Sequence, residues 1–285
     1  MANTIGNPLS WGARMLGAAG HDIGEVAREL GGDHAAPPKV RKITTSDIRA
    51  ALRLGLNDFS AFRTDVMVAC LLYPIIGACL VWAAHHRNLV PLIFPLIAGF
   101  ALIGPAAAVG LYEMSRKREA GNSAGWADAF SVLHSPRFGA IFALAIAHFC
   151  VFFLWLLAAY TVHMMTMGPD IPATLTAFLH QVLTTAEGWA MIAIGIPLGA
   201  VFALAVLASS VVSFPLLLDR AVGLPVAVIT SFEVARKNPV TVLIWGAIVA
   251  GALVLGSIPL LLGLIVVLPV LGHATWHLYR RAVAP

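Results

Sequence analysis

Histidines are the side chains of this chain best suited to chemistry, and three of its ten, His148, His273 and His277, are candidates for it. His148 lies well inside the apolar run that opens at Phe138, at a depth where ionisable groups mark a function or a partner. A neutral imidazole there can hydrogen-bond or ligate a haem or metal ion. No second histidine lies as deep, so a hydrogen-bonded packing role is favoured. His273 and His277 are spaced i, i+4, which points both rings from one helical face, as two ligands of one metal would require. No third ligand and no HExxH glutamate accompanies them. Trp276, Tyr279 and Arg280 are their neighbours, so an interfacial role near the headgroups is favoured. His85 and His86 read as a turn.

Charge is densest at one boundary, where Asp219 and Arg220 close an apolar run and Glu233, Arg236, Lys237 and Asn238 precede the next. Such groups anchor helix ends at the headgroups; their second reading is a contact for a protein partner or for anionic lipid. The motifs GxGxxG opening a helix, the phosphate-binding Gly-rich loop and CxxC are all missing, and no paired carboxylates lie inside the apolar runs. The residues therefore point to no catalytic group and no cofactor. Cys70, Cys79 and Cys150 all fall in apolar runs and read as buried small hydrophobes.

Composition dictates what must position these residues. Of 285 residues 59% are hydrophobic and only 11% charged, with a mean hydropathy of +0.87. Soluble chains carry about 25% charged residues, so this is an integral membrane protein. The formal net charge of +4 then reports which loops face the cytoplasm, not affinity for nucleic acid.

Residues 1–42, rich in Gly, Ala, Asn and Pro, read as a mobile cytoplasmic tail, in which 23–30 could form two helical turns. Residues 43–285 read as one membrane domain. An amphipathic helix is expected from an N-cap at Ser46, with Ile48, Leu52, Leu56 and Phe59 on its apolar face. A polar break at Arg63, Thr64 and Asp65 precedes span one, 66–84; span two is 89–112. A second surface helix, 126–133, ends at Ser135 and Pro136 before span three, 138–162. A loop without Lys or Arg holds a short helix at 173–185, and span four is 189–218. The third surface helix, 224–235, ends at Asn238 and Pro239.

The apolar stretch 240–271 is too long for one span. It is expected to break at Gly256, Ser257, Ile258 and Pro259, giving span five, 240–255, and span six, 258–279. Six spans place 17 of the 18 Lys and Arg residues on one face, with Arg87 opposite. The positive-inside bias then puts both termini in the cytoplasm. The expected fold is all-α: six transmembrane helices in three parallel repeats, each preceded by an amphipathic surface helix.

The stretches SFPLLLDR (213–220), TSFEVARKNP (230–239) and GHATWHLYRR (272–281) resemble a bacterial family of integral membrane proteins of unknown function. Some of its members are labelled cytochrome c oxidase subunits. The resemblance extends over about residues 41–283 and carries no catalytic residue. It implies an accessory place in a membrane complex such as a respiratory one. The expected function is thus a multi-pass inner-membrane protein, non-enzymatic, acting as an accessory or assembly partner. The alternative is a small-solute transporter or channel, suggested by Pro197, Pro215 and Pro259. A haem-binding redox protein is the third class.

Overall fold

The structure, a computed structural model, describes residues 31, 38–86, 89–170, 172 and 174–285. Most of the expected tail and Arg87 therefore lie outside the described residues. All of the described elements are helical apart from one isolated bridge between Val40 and Val283. The α-helices are α1 (Thr45–Cys70), α2 (Leu72–His86), α3 (Ile93–Ala107), α4 (Val109–Glu119), α5 (Trp126–Ala129) and α6 (Phe138–Thr166). They continue as α7 (Leu175–Thr184), α8 (Ala186–Ser210), α9 (Ser213–Asp219), α10 (Leu224–Lys237), α11 (Pro239–Ser257) and α12 (Leu264–Ala282).

Among the described residues three runs are long and apolar enough to cross a membrane: Phe138–Thr166, Ala186–Asp219 and Pro239–Ser257. These carry expected spans three, four and five. The other expected spans correspond to α2, to α3 continued by α4, and to α12. Pro105 lies inside α3, where it removes one amide donor, and the chain resumes at once as α4.

The first unit departs from the expected pattern. Its cap is Thr44, not Ser46: the Thr44 amide donates to Asp47 Oδ2 at 2.8 Å, and Asp47 sits in the first turn, one arm of a capping box. The helix then runs without a break through Arg63, Thr64 and Asp65 and turns only at Leu71. Its buried face is also rotated from the expected one. Ile48, Ala51, Gly55, Asp58 and Phe62 face inward, while Leu56 is exposed. Small residues decide this. A Cβ on Gly55 would fall 2.7 Å from the Ala274 nitrogen and 2.8 Å from the Val270 oxygen. That closeness needs a residue without a side chain and lays α1 along α12.

The other two corners form where expected. Ser135 caps the end of a 3-10 turn before α6, and Asn238 separates α10 from α11, with Pro239 as the first residue of α11. Proline is suited to that place because it lacks an amide that would go unpaired there. The break after α11 falls at the expected cluster, where α11 ends at Ser257. Leu260 and Leu261 have positive φ, 52° and 67°, in a region L residues rarely occupy. The next helix starts at Leu264, six residues later than expected.

The main core lies at one end of the bundle. It surrounds α9, in which 213–218 are all buried, with Tyr112, Trp276 and Tyr279 packed about it. A smaller cluster of Val90, Ile93, Phe178 and Val182 closes the opposite end beneath α7. Cys79 and Cys150 are exposed on the outside of their helices, a correction to the expectation that they are buried.

Candidate functional site

Asp58 is the centre of the most connected polar group. It is 5% exposed on the inner face of α1, opposite α12 and the end of α4. Its Oδ2 accepts from Ser115 Oγ at 2.6 Å and from His277 Nε2 at 2.8 Å, and its Oδ1 accepts from Arg118. Asp58 lies outside the apolar spans. Burial alone would raise its carboxyl, but the bonds from His277, Ser115 and Arg118 and the attraction of His277 outweigh it. The carboxyl is held below its ordinary value, as expected of an anion with three donors.

His273, fully buried, places Nδ1 2.8 Å from Ser115 Oγ. Because the Ser115 hydrogen is committed to Asp58, the ring must donate from Nδ1 and Nε2 is left as an acceptor. Nε2 has no hydrogen-bond partner among the described residues. Phe62 lies 5.9 Å from the ring, and the Arg118 guanidinium stacks over Phe62 at 5.8 Å.

His273 and His277 thus do share a face, as their spacing predicts, but both turn into Asp58 and Ser115. This corrects the interfacial reading for His273, which does not reach the surface. No group of three potential ligands that could hold a metal ion occurs among the described residues. Ser115 is itself fully buried, so its hydroxyl has no face open to a substrate. The arrangement ties three helices together.

A second group joins α12 to α9 and α4. Tyr279 donates to Asp219 Oδ2 at 2.6 Å, Trp276 Nε1 to Glu119 at 2.8 Å, and Arg280 contacts Glu119 at 3.1 Å and Asp219 at 3.4 Å. Beside it Arg116 grips Glu113 through two bonds of 2.8 Å; that hydrogen bonding, against the cost of burial, raises the Arg116 guanidinium. Lys117 reaches Asp128 at 2.6 Å and, with the Gly125 amide, holds the Asp128 carboxyl down.

The boundary residues fall into two sets. Asn238, 5% exposed, accepts from the Ile43 amide at 2.8 Å and donates to the Arg41 and Val234 carbonyls at 3.1 Å. Lys237 donates to the Val40 carbonyl at 2.7 Å, and Arg220 to that of Ala284. With Arg41 N to Ala282 O at 2.8 Å, these bonds strap 39–43 and the last residues of the chain to the corner between α10 and α11. The side chains of Glu233 and Arg236 make no hydrogen bond or ion pair among the described residues, and Arg236 is exposed. The inward face of α10 is built from Ala227, Thr230, Ser231 and Val234.

His148 is 4% exposed. Its Nδ1 donates to the Leu144 carbonyl at 2.9 Å, leaving Nε2 to face Ser209 Oγ at 3.2 Å, with Phe214 at 5.3 Å. Both ring nitrogens thus have a polar neighbour within the bundle. Sequence reasoning passed over His163, Asp58, Ser115 and Glu119. His163 is 2% exposed at the other end of α6, edge-on to Phe178, and neither ring nitrogen has a partner among the described residues. Asp58 alone had a signal, a carboxylate three residues from Gly55 and four from Phe62.

Between α3, α4, α8, α11 and α12 lies a cavity of about 420 Å³, lined almost wholly by apolar side chains, among them Leu102, Leu111, Leu207, Trp245, Val249 and Leu271. Tyr112, Ser210 and Thr275 are its hydroxyl-bearing residues. The Ser210 and Thr275 hydroxyls already donate to carbonyls one turn back.

Residues 93–219 match the model of a family described as "Predicted integral membrane protein (DUF2189)". The match runs from the start of α3 to the end of α9. It includes 213–219 of the first of the three stretches that carry the resemblance noted from sequence and leaves the other two outside, together with Asp58, His273 and His277. No curated protein and no solved structure matches the chain. The chain is an integral membrane protein with several apolar helices, similar in that segment to a family of unknown function.

Proposed function

We propose that this chain is a non-enzymatic accessory or assembly partner of a membrane complex in a bacterial inner membrane, crossing six times with both termini cytoplasmic. The observation that carries the reading is α8: of its 25 residues only Gly188, Val206 and Ser210 are buried. A helix so little covered by its own chain offers a long face to lipid or to a partner's helix, whereas the candidate reactive groups are spent on ties within the bundle. Membrane helices associate through close packing, not through a hydrophobic drive, so an uncovered span retains capacity to bind another. The basic groups at the polar end, including Arg236, suit the anionic headgroups of the cytoplasmic leaflet. On this reading Pro197 and Pro215 are helix irregularities and not a gate, and the apolar cavity gives no polar route for a small solute.

Purification of the tagged protein from its native membrane in mild detergent, with mass spectrometry of what accompanies it, tests the proposal. A stoichiometric membrane partner is expected, and its loss on Val201→Trp in α8 would place the contact. Recovery of the monomer alone would overturn the reading.

A further inference from the structure

The cavity between α3, α4, α8, α11 and α12 has a shape and depth that identify an occupant. We infer that it is a binding site for one acyl chain of a bilayer lipid, in the leaflet on the side of the Asp58 group. This goes beyond the accessory role and does not depend on it. The lining comes from 102–112 of α3 and α4, 200–211 of α8 and 243–253 of α11. Each stretch rises about 15 Å along its helix, half of a hydrocarbon core of about 30 Å. The site thus occupies one leaflet. It meets the core around α9 at Tyr112 and Val211; its lining residues Leu204 and Leu243 are exposed, so it opens between α8 and α11 toward the surrounding lipid.

Its chemistry excludes the alternatives. Water needs two to four polar partners in such a site, whereas Tyr112, Ser210 and Thr275 supply the hydroxyls of an otherwise apolar lining, and those of Ser210 and Thr275 already donate to their own helices. A charged or strongly polar solute would find no ion-pairing side chain in the lining. An empty void would forfeit dispersion contacts along the entire wall, while an acyl chain supplies them and is present at high concentration at the opening. Gly104, where a Cβ would meet nothing within 4 Å, shows the wall held back from contact.

Trp245 gives the test, because it lines the cavity yet is only 3% exposed. The protein is reconstituted in vesicles of phosphatidylcholine, either plain or carrying bromine on the acyl chains, and tryptophan emission is compared with that of Trp245→Phe. The part of the emission due to Trp245 is expected to be largely lost in brominated lipid. Filling the cavity with Ala250→Phe, which keeps Trp245 and places the new ring from an exposed position, is expected to restore it. If brominated chains leave the Trp245 emission intact, no chain enters and the proposal fails; a second copy or another partner filling the cleft would give this result. Equal quenching in Ala250→Phe would mean that Trp245 senses the bulk bilayer, which also overturns it.

Discussion

Asp58 is the residue on which the polar end of the bundle turns. Its carboxylate receives Ser115, His277 and Arg118, so removing the charge leaves buried donors unpaired. We expect Asp58→Asn to cost about 1 to 3 kcal/mol, toward the lower figure because the Arg118 side chain is 40% exposed and solvent screens that arm. The pH dependence has a definite sign. The folded-state carboxyl lies below its ordinary value of 3.8, so its stabilisation is complete above that value and is lost as pH falls through the lowered folded value. Thermal unfolding in detergent should therefore show an acid-side fall in wild type that is weaker in Asp58→Asn. Identical pH profiles would remove Asp58 from this role.

At the scale of elements, closeness of approach decides which helices pair. Gly55 lets α1 lie against α12, whereas Gly104, on the cavity side of α3, faces open space. The same substitution should act in opposite directions at the two sites. Gly55→Ala puts a methyl into the Ala274 and Val270 backbone and should destabilise by about 1 to 3 kcal/mol through overpacking. Gly104→Ala meets nothing within 4 Å and should gain part of the roughly 1 kcal/mol by which alanine is the better helix former. Melting temperatures of the two variants check this, and a stabilising Gly55→Ala would mean that the α1 and α12 pairing is wrong. The corner at Asn238 belongs to the same scale. Its side chain holds the segment before α1 through the Ile43 amide and the Arg41 carbonyl, and the Arg41 amide in turn donates to the Ala282 carbonyl at the end of α12, so the two ends of the described chain meet near α10.

The whole molecule is expected to cross the membrane six times. Three of the crossings rest on long apolar helices, and the other three on α2, on α3 with α4, and on α12, where polar groups share the helix with apolar ones. Reporter fusions after Pro285 and within 169–185 should report opposite compartments. A reporter after Pro285 found outside would make the number of crossings odd and undo the break between α11 and α12. That break is what returns Arg280 and Arg281 to the side of Glu119 and Asp219, where α12 is laced to α4 and α9.

Membrane class, all-α architecture, the break near Gly256 and the corners at Pro136 and Pro239 could all be read from the chain, because each depends on local composition or on a residue with one backbone habit. That His148 needs a hydrogen-bond partner follows from its place deep in an apolar run, and the Leu144 carbonyl one turn away supplies it. What the sequence could not supply was the company each residue keeps across the bundle. The period of α1 was visible, but its inward face was not, since Leu56 is the better hydrophobe while Gly55 is the residue that admits α12. Asp58, Ser115 and His277 come together from positions 58, 115 and 277, and no spacing within one helix announces them. Tyr279 and Trp276 carry the composition of headgroup residues yet are buried against Asp219 and Glu119. Pairing among helices is a property of complementary surfaces, so only the tertiary structure decided which charges are tied and where the bundle leaves a space.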